Sequence, residues 1–238
     1  MSLPTWTPNE LKSEAKPWEG SAWRLVEAQN IISTRKLVDS VHEQNILDEI
    51  LDESKPKVPK SCQHLDFLLF TPFRYRPYPH GSRFRPAGMT DGVFYAAQEY
   101  ETAVAEMAYY RMKFYQDSPG LKAPENAADY TAFQVDVKTS FALDLTADPF
   151  VQYEELWTHD RDYGPCQALA ETAREAGVEV ILSRSVRDPQ GRKNVNVLSC
   201  AAFAKPKPVQ LQTWRMVANS AGATAYCQSP NIVLEFAA

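Results

Sequence analysis

The sequence lacks the short motifs that mark several large enzyme classes. No G-x-G-x-x-G follows a predicted strand and no G-x-x-x-x-G-K-[ST] occurs, which disfavours Rossmann redox enzymes and P-loop ATPases. G-x-S-x-G and H-E-x-x-H are also absent. The four histidines, His42, His64, His80 and His159, share no metal-ligand spacing, so we expect no bound metal.

Long apolar segments and an excess of positive charge are missing as well. No apolar run approaches the roughly 20 residues that a membrane-spanning helix needs, and the N-terminus lacks the apolar core of a signal peptide. The net charge of −5 argues against bulk electrostatic binding to nucleic acid or to an anionic membrane. We therefore expect no direct nucleic-acid partner and no membrane partner.

Cysteine is scarce and unpaired in the sequence. Cys62, Cys166, Cys200 and Cys227 are isolated from one another and form no C-x-x-C motif. This pattern is typical of reduced thiols, mostly in the core, of an intracellular protein. The sequence therefore predicts free thiols and a cytoplasmic location.

The 238 residues fit one large domain with an extension. Residues 1–20 mix prolines, charges, Trp6 and Trp18 without a period, which predicts an irregular N-terminal arm. Residues 21–238 are predicted to form a single domain.

Hydrophobic periodicity predicts an α+β fold with a mixed or largely antiparallel sheet and flanking helices. We expect helices at about 34–54, 98–115 and 166–177, and strands at 21–27, 93–97 and 131–139, with a strand-rich C-terminal third. In the helix that follows residue 98, Ala103, Met107, Tyr110 and Phe114 have the spacing of a core-facing stripe.

The segment from Gly81 to Tyr110 carries the residues with the greatest chemical potential. It is predicted to form a Gly/Arg/Pro loop with Arg83, a strand that ends near Tyr95, and a helix that contains Glu106. Tyr95 and Glu106 are 11 residues apart, so a turn and part of a helix between them allow both to face one cleft. A cation, an aromatic ring and a carboxylate around one cleft suit a ligand with phosphates, a flat ring and a sugar, such as NAD⁺.

Each of these residues also has a purely structural interpretation. Glu106 lies about 40° from Tyr110 on a helical wheel and can be a boundary carboxylate that reaches solvent. Arg83 shares its loop with three other arginines and can belong to a solvated cluster, while Tyr95 can be a core tyrosine. The residues alone leave both interpretations open.

Several segments, in order along the chain, resemble the RES-domain family, which is named for its Arg, Glu and Ser. The resemblance covers roughly residues 21–204. It runs through WRL with Arg24, GSRF with Arg83, VFYAAQEYETAVAEM with Tyr95 and Glu106, and a long last match, WTHDRDYGPCQALAETAREAGVEVILSRSVRDPQGRKNVNVL. In that last match Ser185 falls on the family serine and Asn196 on a frequently seen asparagine.

The resemblance implies a fold similar to that of ADP-ribosyltransferases and an enzyme that consumes NAD⁺ as its substrate. On this basis Glu106 would stabilise the positive charge that develops on the ribose, and Tyr95 would stack on nicotinamide or the adjacent ribose. Arg83, helped by Arg24, would hold the phosphates. Ser185 would hydrogen-bond the carboxamide or position Glu106.

The resemblance further implies a toxin that cleaves the nicotinamide–ribose bond of NAD⁺. The acceptor of ADP-ribose can be a protein, water or phosphate. A cognate antitoxin with a helix-turn-helix domain is the implied partner, and Trp6 and Trp18 are candidate anchors for it, although both can equally pack on the protein itself. The alternative is a non-catalytic binding module on the same fold.

Overall fold

The chain forms an α+β structure in a computed structural model that describes residues 4–28, 37–76, 79–89 and 91–238. Its helices are α1 (Pro8–Glu14), α2 (Val41–Glu53), α3 (Phe67–Phe70), α4 (Tyr100–Gln116), α5 (Glu154–Trp157) and α6 (Gly164–Glu175). Its strands are β1 (Lys16–Glu27), β2 (Phe94–Ala97), β3 (Ala128–Asp144), β4 (Val180–Arg184), β5 (Lys193–Val197), β6 (Gln210–Ala218), β7 (Gly222–Cys227) and β8 (Ile232–Ala237). Within the described residues, every helix is too short or too polar to cross a membrane.

The eight strands form one sheet in the order β1-β2-β5-β4-β3-β6-β7-β8, with an additional pairing between β1 and β3. β3 and β4 are parallel, and the remaining pairs are antiparallel. Because β3 pairs again with β1, five of the strands form a closed ring of pairings in the order β1, β2, β5, β4, β3. The other three strands, β6, β7 and β8, extend the sheet from β3. The predicted α+β class with a mixed, mostly antiparallel sheet is confirmed.

The contact between β1 and β2 is short. β1 pairs with β3 along nearly its whole length, but its register with β2 consists of the single pair Trp23↔Ala97. Beyond this pair the backbones are bridged by a side chain instead, since Arg24 Nη1 donates to the carbonyl oxygen of Tyr95 at 2.6 Å. The short pairing leaves a cleft at this point of the sheet.

Helix α4 packs beside this cleft through a narrow face of small side chains. Val104 and Ala108 are fully buried and belong to a core cluster with Trp23 and Trp214. Each aliphatic side chain of valine size that is removed from water stabilises the packing by roughly 1.5–3 kcal/mol. This contact fixes the helix and therefore the direction in which its other side chains point.

The predicted core-facing stripe of this helix is wrong in part. Ala103 is buried and Met107 packs at the edge of the cluster, but Tyr110 is 54% exposed and Phe114 51% exposed. The buried side chains of the helix are small ones together with Met112, and the rings of Tyr110 and Phe114 remain outside this contact. The helical period is compatible with burial of either face of α4, and the size of the side chains determines which face packs on the sheet.

The prediction of an irregular arm at residues 1–20 is also wrong where the structure describes it. Thr7 caps α1 by accepting from the backbone N–H of Glu10, whose carboxylate accepts from Thr7 N–H in return. β1 then begins at Lys16. Trp6 packs against Phe150 with ring centroids 4.9 Å apart. Trp18 packs against the first core cluster, a group of buried residues that includes Phe94 and Phe133. Both tryptophans therefore pack on the protein's own body.

The four cysteines are buried, as predicted, but two of them are not free thiols. Cys62 and Cys200 form a disulfide with their Cα atoms 5.4 Å apart, while Cys166 and Cys227 are free. No local motif marks this pair, because 138 residues separate its members and only the fold brings them together.

Helix α2 is shorter than the predicted helix at 34–54. It begins at Val41, where Ser40 caps it by accepting from Glu43 N–H, and residues 34–36 lie outside the described residues. Its apolar side chains Val41 and Ile50 are 70% and 57% exposed. The predicted period is present, but this helix does not pack its apolar side chains into the core.

Candidate active site

A cleft of about 340 Å³ opens where β1 and β2 separate, beside α4. Arg24, Arg83, Tyr95 and Glu106, four of the five residues proposed from the sequence, line it directly. The full lining consists of Trp23, Arg24, Leu25, Ser82, Arg83, Tyr95, Ala96, Ala97, Ala103, Glu106, Met107, Tyr110, Val186, Arg187, Asn194 and Asn196. The fifth residue, Ser185, contacts the cleft through Glu106.

Glu106 is held in the cleft by two hydrogen bonds to one carboxylate oxygen. Its Oε1 accepts from Ser185 Oγ at 2.7 Å and from Asn194 Nδ2 at 2.8 Å. In the described parts of the chain, no lysine or arginine forms an ion pair with it. An oriented carboxylate without a cation partner retains its negative potential for a charge that develops on a ligand.

Ser185 lies just after β4 and is 3% exposed. Its hydroxyl donates to Glu106 and accepts from the backbone N–H groups of Arg187 and Asp188, at 3.2 and 3.1 Å. These contacts fit the second of its two predicted roles, that of positioning Glu106.

Arg83 stands at the tip of a tight turn. Ser82 and Arg85 exchange two backbone hydrogen bonds, so Arg83 and Phe84 form the two-residue tip. Gly81 precedes the turn with φ +64, where glycine is favoured because it has no Cβ. The Arg83 guanidinium lies 4.6 Å from the Tyr163 ring centroid and donates to the carbonyl oxygen of Trp157 at 2.8 Å.

Tyr95 connects strand β2 to this turn. Its hydroxyl lies 2.7 Å from Ser82 Oγ and accepts from Phe84 N–H at 3.0 Å. Burial raises the pKa of Tyr95, although the hydrogen bonds from Ser82 and Phe84 oppose that rise. The neutral hydroxyl of Tyr95 therefore holds the turn that carries Arg83. The ring is left to line the cleft.

Arg24 is a half-buried cation that lines the cleft. Burial of its guanidinium lowers the pKa of Arg24, and the group lies 5.1 Å from the Phe94 ring centroid. Within the described parts of the chain, its Nε has no hydrogen-bond partner. Among the described residues, neither Arg24 nor Arg83 forms an ion pair with a carboxylate. Two guanidinium groups without a protein counter-ion make this cleft suited to an anionic ligand.

The cleft also contains residues that the sequence did not single out. Asn194 follows Lys193 in β5, and no local motif marks it, but its side chain reaches Glu106. Arg187 lies 3.7 Å from the Tyr109 ring centroid, and its Nη2 donates to the carbonyl oxygen of Asp160 at 2.9 Å. Asn196, which the resemblance did mark, is 2% exposed and donates to the carbonyl oxygen of Ile181 and to Ser183 Oγ.

Among the described residues, no group of three or more His, Cys, Asp or Glu side chains is arranged to hold a metal ion. The lining contains one carboxylate, three guanidinium groups, aromatic rings and apolar side chains. Such a set can hold an anionic ligand with a flat ring and stabilise positive charge near Glu106.

Comparison with known proteins supports the resemblance seen in the sequence. The model of the family described as the RES domain matches residues 58–219, which begins later and ends later than the predicted range of 21–204. No curated protein matches the sequence. Among solved structures, the chain is similar to one from the crystal structure of the M. tuberculosis MbcT–MbcA toxin–antitoxin complex. The identity is 14% and the TM-score 0.52, over 88% of this chain and 92% of that chain, so this likeness concerns the fold.

Proposed function

Because the chain belongs to the RES-domain family, we propose that it is an NAD⁺-consuming toxin of a toxin–antitoxin pair. The reaction is cleavage of the bond between nicotinamide and ribose, with transfer of ADP-ribose to an acceptor. The observation that carries this proposal is the oriented Glu106 in one cleft with Arg24 and Arg83, neither of which forms an ion pair with a carboxylate of the described residues.

Glu106 acts as the catalytic carboxylate. The bond between ribose C1′ and the nicotinamide nitrogen breaks, and its electron pair leaves with nicotinamide, which departs as a neutral molecule without a general acid. Positive charge develops on the ribose, and Glu106 stabilises it by its own charge and by a hydrogen bond to a ribose hydroxyl. Ser185 and Asn194 hold the carboxylate in place.

Arg24 and Arg83 hold the two phosphates of NAD⁺. A guanidinium binds phosphate oxygens in pairs, and the desolvated Arg24 gains a counter-ion when the ligand enters. Tyr95 offers its ring to nicotinamide or the adjacent ribose, while Ala97, Ala103 and Met107 provide apolar contacts.

The acceptor completes the reaction. A protein side chain, water or phosphate supplies the electron pair of the new bond to C1′ and releases a proton. A single domain that works in the cytoplasm is also part of the proposal, and it begins before the predicted residue 21, because β1 starts at Lys16 and Leu11 of α1 lies in the core.

The partner is a cognate antitoxin. The similar solved structure is that of a toxin–antitoxin complex, and we propose an antitoxin with a helix-turn-helix domain that blocks the cleft. Expression of the chain alone should inhibit growth, and co-expression with the adjacent reading frame should yield an inactive complex. Harmless expression of a catalytically active chain would contradict the toxin assignment and leave the NAD⁺ reaction standing.

Nicotinamide release from NAD⁺ tests the chemistry directly. The purified protein should release nicotinamide, and mass analysis of the products identifies the acceptor among water, phosphate and protein. If no nicotinamide appears with any acceptor, the alternative of a non-catalytic binding module on the same fold replaces the enzyme.

Glu106→Gln should lower kcat by about 10²–10³-fold, because the charge that stabilises the transition state is lost. The amide oxygen can still accept from Ser185 and Asn194, so Kd for NAD⁺ should change less than about threefold. Glu171→Gln, an exposed glutamate on α6, is the matched control and should behave as wild type. Full turnover by Glu106→Gln would exclude Glu106 as the catalytic carboxylate.

A further inference from the structure

A buried carboxylate lies close to the cleft without lining it. Asp188, in the loop between β4 and β5, is 5% exposed, and its side chain receives hydrogen bonds from two directions. Thr102 Oγ1 on α4 donates to Oδ2 at 2.7 Å. Arg192, at the far end of the same loop, donates from Nε to Oδ2 at 2.6 Å and from Nη2 to Oδ1 at 3.2 Å.

These contacts tie the loop to the helix that carries Glu106. Thr102 is fully buried and precedes Glu106 by four residues, which places both on the same side of α4, one turn apart. The Asp188 backbone N–H donates to Ser185 Oγ at 3.1 Å, and the same hydroxyl donates to Glu106. The side chain of Asp188 therefore fixes the helix while its backbone fixes the serine that orients the carboxylate.

From this arrangement we propose that Asp188 is a positioning residue for the reaction. It clamps the loop of residues 185–192 onto α4 through Thr102, and thereby sets the direction in which Ser185 presents its hydroxyl to Glu106. The clamp rests on the proposed function in so far as Glu106 is the catalytic carboxylate.

The chemistry of the clamp explains why a carboxylate is present at this buried position. The Arg192 guanidinium and the Thr102 hydroxyl hold the pKa of Asp188 below its usual range, against the effect of burial. A charged acceptor makes hydrogen bonds about twice as strong as a neutral one, so one side chain can hold two elements together. The guanidinium of Arg192 also lies 3.6 Å from Glu101 on α4, which extends the contact by one residue along the helix.

The clamp affects the transition state more than ligand binding. Arg24 and Arg83 lie on other elements of the cleft and do not contact Asp188, so the phosphates remain held when the clamp is loosened. A displacement of Glu106 by a fraction of an ångström weakens its interaction with the charge on the ribose. A loss in kcat with little change in Kd is therefore the signature of the clamp.

Thr102→Val tests this proposal because it removes the hydroxyl and keeps the shape of the side chain. We expect kcat to fall by about 10-fold or more, with Kd for NAD⁺ changed less than about twofold. Thr102→Ser retains a hydroxyl and should restore most of kcat. Asp188→Asn keeps the size of the side chain and loses its charge, and should show the same split between kcat and Kd.

Thr139→Val is the matched control. Thr139 is also a buried threonine, and its hydroxyl donates to the carboxylate of Glu179, but neither residue lines the cleft. This variant loses a hydrogen bond of the same kind, and also the one that Thr139 Oγ1 accepts from Phe141 N–H, and should still keep the wild-type kcat.

Amide hydrogen exchange tests the clamp independently of turnover. The N–H groups of Arg187 and Asp188 bond to Ser185 Oγ, so their exchange should become faster in Thr102→Val and remain unchanged in Thr139→Val. If the wild-type protein releases no nicotinamide, the proposed function is contradicted. The contact between the loop and α4 is then tested only by the rates of amide hydrogen exchange. Unchanged exchange in Thr102→Val, or equal losses in kcat and affinity, would overturn the proposal.

Discussion

At the scale of single residues, Arg24 presents a conflict between stability and binding. Its guanidinium is desolvated where it lines the cleft, and it donates a hydrogen bond to the carbonyl oxygen of Tyr95. Among the residues that the structure describes, its Nε has no partner. A buried charge without a counter-ion costs several kcal/mol. Such a group is retained at a cost to the free protein, and a bound anion removes that cost.

Arg24→Met should therefore stabilise the free protein while it abolishes NAD⁺ binding. Methionine fills a similar volume without a charge, and we expect the free energy of unfolding to rise by about 1 kcal/mol, after the lost hydrogen bond is counted. Urea denaturation and calorimetric titration with NAD⁺ measure the two effects. Arg24→Lys keeps the charge and should show no stabilisation; tight binding by Arg24→Met would remove Arg24 from the phosphate site.

Tyr95 allows a test that separates positioning from acid–base chemistry. Its hydroxyl bonds to Ser82 Oγ and Phe84 N–H on the turn that carries Arg83, and burial keeps it neutral by raising its pKa. Tyr95→Phe keeps the ring and releases the turn. We expect Kd for NAD⁺ to rise by about 3–10-fold, the effect of roughly one hydrogen bond, with kcat within about twofold of wild type.

A substitution of Ser82, the hydrogen-bond partner of the Tyr95 hydroxyl, complements Tyr95→Phe. Ser82→Ala removes the other end of the hydroxyl contact and should raise Kd in the same direction as Tyr95→Phe. A large loss of kcat in Tyr95→Phe alone would instead show that the phenol takes part in the chemical step.

At the scale of elements, the sequence predicted well wherever local periodicity decides the structure. β2, α4, β3 and α6 lie within a few residues of their predicted positions, because each has a clear period or a glycine or proline near its end. Gly177, with φ +77, follows the C-cap residue Ala176 at the end of α6. Local periodicity did not decide which face of α4 is buried, since that depends on how closely the helix approaches the sheet.

The turn before Arg83 shows a second limit of local prediction. The glycines and prolines indicated a loop, but they did not specify the two hydrogen bonds between Ser82 and Arg85 or the positive φ of Gly81. A Cβ on Gly81 would lie 2.7 Å from the carbonyl oxygen of Arg85. The turn that presents Arg83 therefore depends on a glycine at this position.

Gly81→Ala should destabilise the protein and weaken NAD⁺ binding together. The positive φ costs about 1–2 kcal/mol for an L residue, and the backbone clash adds to it. Gly88→Ala is the matched control, because Gly88 has φ +77 but its Cβ would meet no atom within 4 Å. Chemical denaturation should show a larger loss for Gly81→Ala; equal losses in both variants would mean that the turn adjusts freely.

At the scale of the whole molecule, the site depends on contacts between distant parts of the chain. Tyr95 and Glu106 were predicted to share a cleft because a short segment joins them. Ser185 and Asn194 reach Glu106 from 79 and 88 residues away, through the pairing of β2 with β5 and of β5 with β4. Spacing could not predict these contacts, and the family resemblance marked Ser185 but not Asn194.

The disulfide between Cys62 and Cys200 is the feature of the whole molecule on which prediction and structure differ most. It joins the segment before α3 to the turn after β5, across 138 residues. Both cysteines lie in the first core cluster with Phe73 and Phe203, so the apolar packing around them persists when the bond is reduced. We therefore expect the reduced protein to fold, with lower stability.

Denaturation with and without a reductant measures this effect. A bond that closes so long a loop stabilises by at most about 5 kcal/mol in the chain-entropy model, and part of this is commonly lost. The reductant should lower the urea midpoint of the wild type and leave the double variant Cys62→Ala/Cys200→Ala unchanged. Nicotinamide release should persist in both, because the bond lies outside the lining of the cleft. An equal midpoint for oxidised and reduced wild-type protein would show that packing alone holds this segment, and the free-thiol form expected in a cytoplasm would then be as stable as the oxidised one.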